Sequence, residues 1–428
     1  MIMKHPAIVK RDEKQVVIQL TVKLEGSLLE NEEALQQALN EVGSLAMEPI
    51  LKRFDTDGTP IVIAKQKLTS RCLQPQTYET PYGQVAVARH VYQTSKGGKT
   101  FCPLEDRGRC LLNSTPRYAK IISSKYCQMG ADALRKDLLE ANGRKVSRNY
   151  VKRIADFVGS IAQAKEEVWE YEIPVPEKSV AAIAIGLDGT CMLMRESGWR
   201  EAMCGSIALY DEHGERLHTI YAGASPEYGK QTFRERFSRE VERVKHAFPE
   251  ALTIGLADGA ADNWKFLTKR TDRQMVDFYH AREYLGKAVA AIHSRRTNQV
   301  TKQEEAWSHD LKHKRGAAKK ILAAMESELA EMKPGWRKEE LTKSATYFRN
   351  QRSKMQYWRH EKELLPIGSG VTEAACKALI KQRLGQSGMR WKAAGAAALI
   401  SIRSLRLTPG RWESFWGKVD QFGVPALN

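Results

Sequence analysis

One stretch constrains this chain more than any other, the segment VAAIAIGLDGT at residues 180–190. Its apolar run, with a single glycine and no charge, leads directly into Asp188. Such a run is typical of a strand buried on both faces at the centre of a sheet. A carboxylate there is costly to bury unless a cation faces it. Asp-Gly is also the commonest two-residue hairpin signal, so this stretch alone favours a turn over a metal ligand.

A second copy of the pattern changes that balance. Residues 251–257 form another apolar run that leads into Asp258 and a glycine. A third carboxylate, Glu373, lies in the first turn of a predicted helix with Thr372 as its N-cap, although glutamate there is also ordinary helix design. Three carboxylates at strand and helix ends can converge at one sheet edge and bind two divalent cations through oxygen. Such cations activate an attacking water or 3′-hydroxyl and stabilise the leaving oxygen.

The element order after residue 178 predicts a mixed α/β domain. Turn signals separate three antiparallel strands, the first of which ends near Asp188 or runs on through 191–195. A helix, a strand, a helix, a strand and a helix follow at 228–248, 251–257, 261–269, 274–280 and 281–293. We expect an α/β fold: an RNase H-like catalytic domain with a mixed five-stranded sheet and flanking helices. A helical insertion would interrupt it, and a helical DNA-binding domain would precede it.

Five parts of the chain follow from this order and from the two prolines near residue 175, which mark a boundary. They are an N-terminal α+β region (1–110), a helix-turn-helix-like DNA-binding domain (111–170), the first part of the catalytic domain (178–293), a basic helical insertion (294–355), and the second part of the catalytic domain with a C-terminal tail (356–428).

The charge balance indicates a polyanionic partner. The chain has a formal net charge of +17, which favours nucleic acid first and an anionic membrane only distantly. No apolar run approaches a membrane span, and no signal peptide is recognisable, so we expect a cytoplasmic protein without a membrane partner. The seven cysteines form no CxxC pair, and neither a disulfide framework nor zinc is expected.

Basic residues mark the candidate DNA contacts. Three helices are predicted at 118–129, 131–140 and 147–163, with Ser147 as an N-cap and a glycine stop at 143. Their bases, Arg144, Lys145, Arg148, Lys152 and Arg153, suit major-groove and phosphate contacts, and a helical hairpin with solvated charges is an equal alternative. Lys377 and Lys381 follow Glu373 at spacings of four, on one helix face, where they hold phosphate or brace the helix.

Four motifs together resemble the ISKra-type family of bacterial insertion-sequence DDE transposases. They are GLDGT (186–190), ADGA (257–260), DFYH (277–280) and GSGVTEAACK (368–377), supported by SGMRW (387–391) and GRWESFW (410–416). The resemblance covers about residues 110–420. It implies an RNase H-like fold and places Asp188, Asp258 and Glu373 at the DDE positions. Asp277 and His280 match the family's D-x-x-H element, as active-site support or as a strand-end pair that holds local structure.

The resemblance implies a function in DNA transposition. A DDE transposase binds transposon ends and cleaves and joins double-stranded DNA at ends and target, with Mg²⁺ or with Mn²⁺ in its place. We expect a homodimer or larger assembly on DNA, associated with the nucleoid. The predicted DNA contacts are Arg148, Lys152, Arg153, Lys377, Lys381, Arg390 and Trp391. Where relatives carry a cysteine-rich knuckle, this chain has QTSKGGK (93–99), so zinc is not carried over.

Two other functions stay open. One is a catalytically silent, domesticated DNA-binding protein, against which the three intact carboxylates argue, since a binder needs no acids among so many cations. The other is a nuclease of the same fold that cuts without joining.

Overall fold

The computed structural model describes residues 6–12, 14–293 and 298–424. Residues 294–297 of the predicted insertion and 425–428 of the predicted tail lie outside the described residues. Contacts divide the chain into two units, which are 1–170 with 397–406 and 411–428, and 171–396 with 407–410. This division differs from the predicted one in two places. The first two predicted parts fall in one unit, and that unit also includes 397–406 and 411–428 from the predicted second catalytic part and C-terminal tail.

The first unit combines two antiparallel sheets with helices. Its strands are β1 (Ala7–Arg11), β2 (Val16–Gln19), β3 (Ile61–Ile63), β4 (Gln66–Glu79), β5 (Gln84–Thr94) and β6 (Gly97–Phe101). Strands β1 and β2 form a hairpin, and β3 to β6 form a sheet in chain order. The helices up to residue 170 are α1 (Leu28–Lys52), α2 (Pro103–Arg107), α3 (Pro116–Tyr126), α4 (Ala131–Asn142) and α5 (Arg148–Lys165).

The three helices predicted between residues 118 and 163 are present as α3, α4 and α5. The Ser147 hydroxyl caps α5 by accepting the Tyr150 amide at 3.1 Å, and Gly143 ends α4 in the left-handed conformation. Arg144, however, is buried: its guanidinium pairs with Glu79 at 2.6 Å. Arg144 is therefore a buried structural residue of the unit and not one of its solvated charges, while the two alternatives for the remaining bases stay open.

The second unit contains the predicted central strand. Its strands are β7 (Ala182–Met194), β8 (Gly198–Tyr210), β9 (Arg216–Ala224), β10 (Leu252–Ala257) and β11 (Arg273–Val276). Its helices are α6 (Lys230–Ala247), α7 (Ala261–Leu267), α8 (Phe278–Ile292), α9 (Asn298–His313), α10 (Ala317–Glu331), α11 (Trp336–Gln351), α12 (Tyr357–Lys362), α13 (Gly370–Cys376) and α14 (Gln382–Leu384), with a π-helical turn, Lys377–Lys381, after α13. Helices α15 (Ala393–Leu407) and α16 (Arg411–Phe422) complete the chain.

The five strands form one mixed sheet in the order β11-β10-β7-β8-β9. Strands β7, β8 and β9 pair antiparallel, and β10 and β11 run parallel to β7. The predicted α/β class with a mixed five-stranded sheet and flanking helices is therefore confirmed. Strand β7 is central, and helix α6, which carries the chain from β9 to β10, buries an apolar stripe in the core of this unit, made of Phe233, Phe237, Val241 and Val244.

Three predicted boundaries change. Strand β7 continues to Met194, so Asp188 lies within a strand, the second of the two predicted alternatives. Strand β11 stops at Val276, since the Asp277 carboxylate accepts the His280 amide at 2.7 Å and caps α8; the predicted strand at 274–280 is too long. Ser369, and not Thr372, is the N-cap residue of α13. None of the helices in the described ranges is both long and apolar enough to cross a bilayer.

Candidate active site

Strand register aligns three aspartates at one edge of the sheet. Leu256 of β10 lies opposite Gly186 of β7, so two residues further along each chain Asp258 comes level with Asp188. Ala257 lies opposite Val276 of β11, so the next step brings Asp277 level with Asp258. Neighbouring strands lie about 4.8 Å apart, and residues in register share a face of the sheet. The backbone positions of these sequence-distant aspartates are therefore neighbours near the ends of β10 and β11.

Asp188 is a half-buried carboxylate without a basic ion-pair partner in the described part of the chain. Its Oδ1 accepts the Gly189 amide at 2.7 Å, and its Oδ2 lies 3.7 Å from the Cys376 thiol, a weak donor. Burial raises the pKa of Asp188 above its ordinary value, against the hydrogen bond from Gly189, and the negative charge of Asp258 raises it further. The hydrogen bond from Cys376 and the nearby His280 act in the opposite direction. The two carboxylates therefore interact unfavourably when both are ionised.

Asp258 begins a tight loop that is held by its own carboxylate and by two side chains of α11. Its Oδ1 accepts the Ala260 amide at 3.0 Å. Its main-chain carbonyl accepts the Tyr347 hydroxyl at 2.8 Å, and the next carbonyl, that of Gly259, accepts the Gln351 side-chain amide at 3.0 Å. Gly259 has φ +118°, and a side chain there would come within 2.9 Å of the Tyr347 ring. Only glycine suits this position, since backbone conformation and space both exclude a side chain.

Asp277 links the start of α8 to the start of α13. It is fully buried, and besides the His280 amide it accepts the backbone amide of Ser369 and, at 2.8 Å, the Ser369 hydroxyl. The same hydroxyl lies 3.2 Å from Oε1 of Glu373, which is exposed. One hydroxyl hydrogen serves one of these carboxylates at a time, so Ser369 couples Asp277 to Glu373. His280 is half-buried, with Nδ1 3.7 Å from Glu283.

Close packing against the sheet places α13. A side chain at Gly186 of β7 would lie 2.0 Å from the Thr372 hydroxyl, so glycine permits the approach. The buried Thr372 hydroxyl in turn lies 2.8 Å from that of Ser206 on β8. Thr372, predicted as a cap, instead anchors the helix to the sheet. Glu373 follows directly on the same helix, where its carboxylate lies 3.2 Å from the Ser369 hydroxyl.

The donor set fits a divalent cation in part. Carboxylate oxygens suit Mg²⁺, and the Asp188–Asp258 pair combines two like charges that a dication would neutralise. Across the described ranges, no group of three or more His, Cys, Asp or Glu side chains is close enough to hold a metal ion. The structure therefore brings two of the three predicted ligands together, while Glu373 bonds with Ser369.

The two predicted phosphate-binding lysines follow the acidic site. Lys377 and Lys381 are both exposed at the ends of the π-helical turn. Within the described residues, Glu373 and Lys377 form no ion pair, so the alternative that Lys377 braces the helix lacks the expected contact. A π-helical turn within an α-helix is frequently found at a functional site.

The remaining predicted DNA contacts have varied surroundings. Trp391 is half-buried, and its indole N–H donates to the Leu384 carbonyl at 2.9 Å. Its backbone pairs with the end of β7, where its amide donates to the Leu193 carbonyl at 3.1 Å. Its structural role is thus evident, and its contact with DNA stays a prediction. Arg390 is exposed. In the other unit the exposed side chains of α5 have polar partners: Arg148 with Asp132, Lys152 with Asp156 and Arg153 with Asn113.

Four further residues belong to this site and were not predicted as part of it: Tyr347, Gln351, Ser369 and Cys376. Ser369 lies in the GSG segment before a predicted helix, which could have indicated a cap. Tyr347 and Gln351 have no local signal, because they reach Asp258 and Gly259 only through the tertiary fold. Comparison of the chain with protein-family models and with curated proteins yields no match.

Proposed function

We propose that this protein is a DDE transposase of the ISKra type, which binds transposon ends and catalyses metal-dependent cleavage and transfer of DNA strands. The observation that carries the proposal is the pairing of Asp188 with Asp258. Asp188 lies in β7, Asp258 directly follows the neighbouring parallel strand β10, and the charge of Asp258 raises the pKa of Asp188. Two like-charged carboxylates with no ion pair among the described residues, and with His280 near Asp188 as a basic neighbour, are poorly suited to stabilising a fold and well suited to a cation.

The sheet supports an RNase H-like fold for the second unit. Three antiparallel strands, a crossover helix and two further strands parallel to the first give the order expected for that fold. Fold likeness does not by itself carry a function. Here the acidic residues lie at the end of the parallel strands, where ligands of open α/β sheets bind, so fold and site support each other.

Each residue then has a task in phosphoryl transfer. Asp188, Asp258 and Glu373 would hold Mg²⁺, or Mn²⁺ in its place, which when bound supplies Lewis acidity at the scissile phosphate. Ser369 holds Glu373 beside the sheet edge and is itself held by the buried Asp277. Lys377, exposed one turn after Glu373, is placed to bind the adjoining DNA phosphate.

The charge of the chain supports double-stranded DNA as partner. A net charge of +17 favours a polyanion, and the region 298–355 adds exposed basic side chains on helices. We assign recognition of transposon ends to α5, through Arg148, Lys152 and Arg153, and generic phosphate binding to the insertion, with Arg390 and Trp391 as further contacts. A homodimer or larger assembly on the DNA, in the cytoplasm, completes the proposal.

Cleavage of end DNA by single variants tests the proposal. We expect Asp188→Asn, Asp258→Asn and Glu373→Gln each to lower Mg²⁺-dependent cleavage by about three orders of magnitude or more, with DNA binding nearly intact. Wild-type cleavage rates in any of the three would contradict the assignment of that residue.

Joined products separate the remaining alternatives. A supercoiled target plasmid in the same reaction should acquire the labelled transposon end. Cleavage without joined product would identify a nuclease, and specific binding without cleavage would identify a domesticated DNA-binding protein.

A further inference from the structure

The loop that carries Asp258 is held by a helix from the predicted insertion. Tyr347 and Gln351 lie four residues apart on α11, on one face. Tyr347 donates its hydroxyl to the Asp258 carbonyl at 2.8 Å, and Gln351 donates its amide to the Gly259 carbonyl at 3.0 Å. Two consecutive carbonyls of one loop are thus bonded from one helix face.

The two donors are themselves held in place. The Tyr347 ring stacks on Tyr284 of α8, with ring centroids 3.9 Å apart and planes 11° from parallel. Apart from its bond to the loop, Gln351 is held by packing alone, since it is only 8% exposed and its Oε1 has no hydrogen-bond partner among the described residues.

Helix α8 also connects to the other side of the site. The residue that caps α8 is Asp277, which holds Ser369 and through it Glu373. Helix α11 is therefore bonded to the loop that carries Asp258. Helix α8 is linked to Glu373 indirectly, through its cap residue Asp277 and then Ser369.

We infer that Tyr347 and Gln351 are positioning residues for Asp258, so that the helical insertion takes part in assembling the acidic site in addition to any contact with DNA. This rests on the proposed function in one respect, that Asp258 binds the metal ion. The helical insertion and the proposed metal site are then coupled, because a displacement of α11 would also move the loop that carries Asp258.

Backbone amide exchange in the metal-free, DNA-free protein tests the positioning directly. Tyr347→Phe keeps the ring stack on Tyr284 and removes only the hydroxyl that bonds the loop. Hydrogen exchange of a peptide covering residues 258–260 should be about five- to tenfold faster than in the wild type, the factor for one lost hydrogen bond. Gln351→Leu should have an effect of similar size.

Tyr357→Phe is the matched control. Tyr357 is buried on α12, and its hydroxyl has no hydrogen-bond partner among the described residues. This variant removes the same atom from the same unit without touching the loop, so exchange at 258–260 should equal that of the wild type.

The metal dependence of cleavage gives a second readout. In Tyr347→Phe the Mg²⁺ concentration for half-maximal rate should rise about five- to tenfold, while the rate at saturating Mg²⁺ stays close to that of the wild type. If Tyr347 had only a structural role, Tyr347→Phe would lower the melting temperature without raising the Mg²⁺ concentration for half-maximal rate.

Unchanged exchange in both α11 variants, or equally faster exchange in Tyr357→Phe, would overturn the inference. Since exchange requires neither DNA nor metal, it decides the inference even for a wild-type protein that fails to cleave. Failure of cleavage would count against the proposed function alone.

Discussion

At the scale of single residues, the pairing of Asp188 with Asp258 costs the fold stability. Burial raises the pKa of Asp188 above 3.8, its ordinary value, and the neighbouring carboxylate adds to the effect. The folded protein therefore keeps a proton that the unfolded chain has already released. The destabilising contribution of Asp188 is absent below pH 3.8 and reaches its full size once the pH has risen above the folded-state pKa of this group.

We expect Asp188→Asn to raise the melting temperature of the metal-free protein by a few degrees at pH 7, because asparagine removes the buried charge. The difference between variant and wild type should shrink as the pH is lowered towards 4. Thermal denaturation followed by calorimetry over this pH range measures it. Added Mg²⁺ should stabilise the wild type and leave the variant unchanged.

Glu215→Gln is a suitable control, since Glu215 is a surface carboxylate paired with Lys178 and lies in the turn at the opposite end of β8. It should show no such gain. A lower melting temperature for Asp188→Asn at pH 7 would contradict the electrostatic account of the pair.

The sequence could reveal Asp188 and Asp258 but not their surroundings. Both follow long apolar runs, a pattern that buried parallel strands impose locally. The Ser369 bonds to Asp277 join residues far apart in the chain, and no local pattern encodes them. The same holds for the Tyr347 contact with the Asp258 loop.

At the scale of elements, the end of β11 and the N-cap of α13 were wrongly predicted because both depend on tertiary contacts of single side chains. Apolar residues continue from Met275 into the first turn of α8, so the apolar pattern does not show where the strand ends and the helix begins. Asp277 resolves the boundary through its capping bond, which depends on side-chain geometry. In α13, Thr372 looked like a cap because of its type, yet its burial against Ser206 prevents that role.

The π-helical turn after α13 leads to a prediction for Lys377. This lysine is exposed and forms no ion pair with Glu373 within the described ranges, which favours phosphate binding. Lys377→Ala should lower cleavage at least tenfold and reduce the slope of log affinity against log salt by about one. Its melting temperature should stay close to that of the wild type.

Lys178→Ala provides the comparison for Lys377. Lys178 pairs with Asp211 at 3.3 Å, at the opposite edge of the same sheet. That variant should cleave normally with an unchanged salt slope. Normal cleavage by Lys377→Ala, combined with a lower melting temperature, would show that this lysine stabilises the helix instead.

At the scale of the whole molecule, the order of strands and helices along the chain was more predictable than the way these elements group into two units. The sequence indicated the order of strands and helices in the mixed sheet, because apolar period and turn residues are local signals. It did not indicate that 397–406 and 411–428 belong with the N-terminal unit, since this grouping depends on packing between distant segments. The net charge of +17 predicts a class of partner and carries no information on fold.

We propose that Asp188 and Asp258 share a divalent cation. Crystals of the full-length protein grown with Mn²⁺ and measured at the manganese absorption edge would reveal such an ion. We expect an anomalous difference peak in contact with both carboxylates, and loss of that peak in Asp258→Asn. A Mn²⁺-loaded wild type without a peak at this pair, or a peak that persists there in Asp258→Asn, would contradict it.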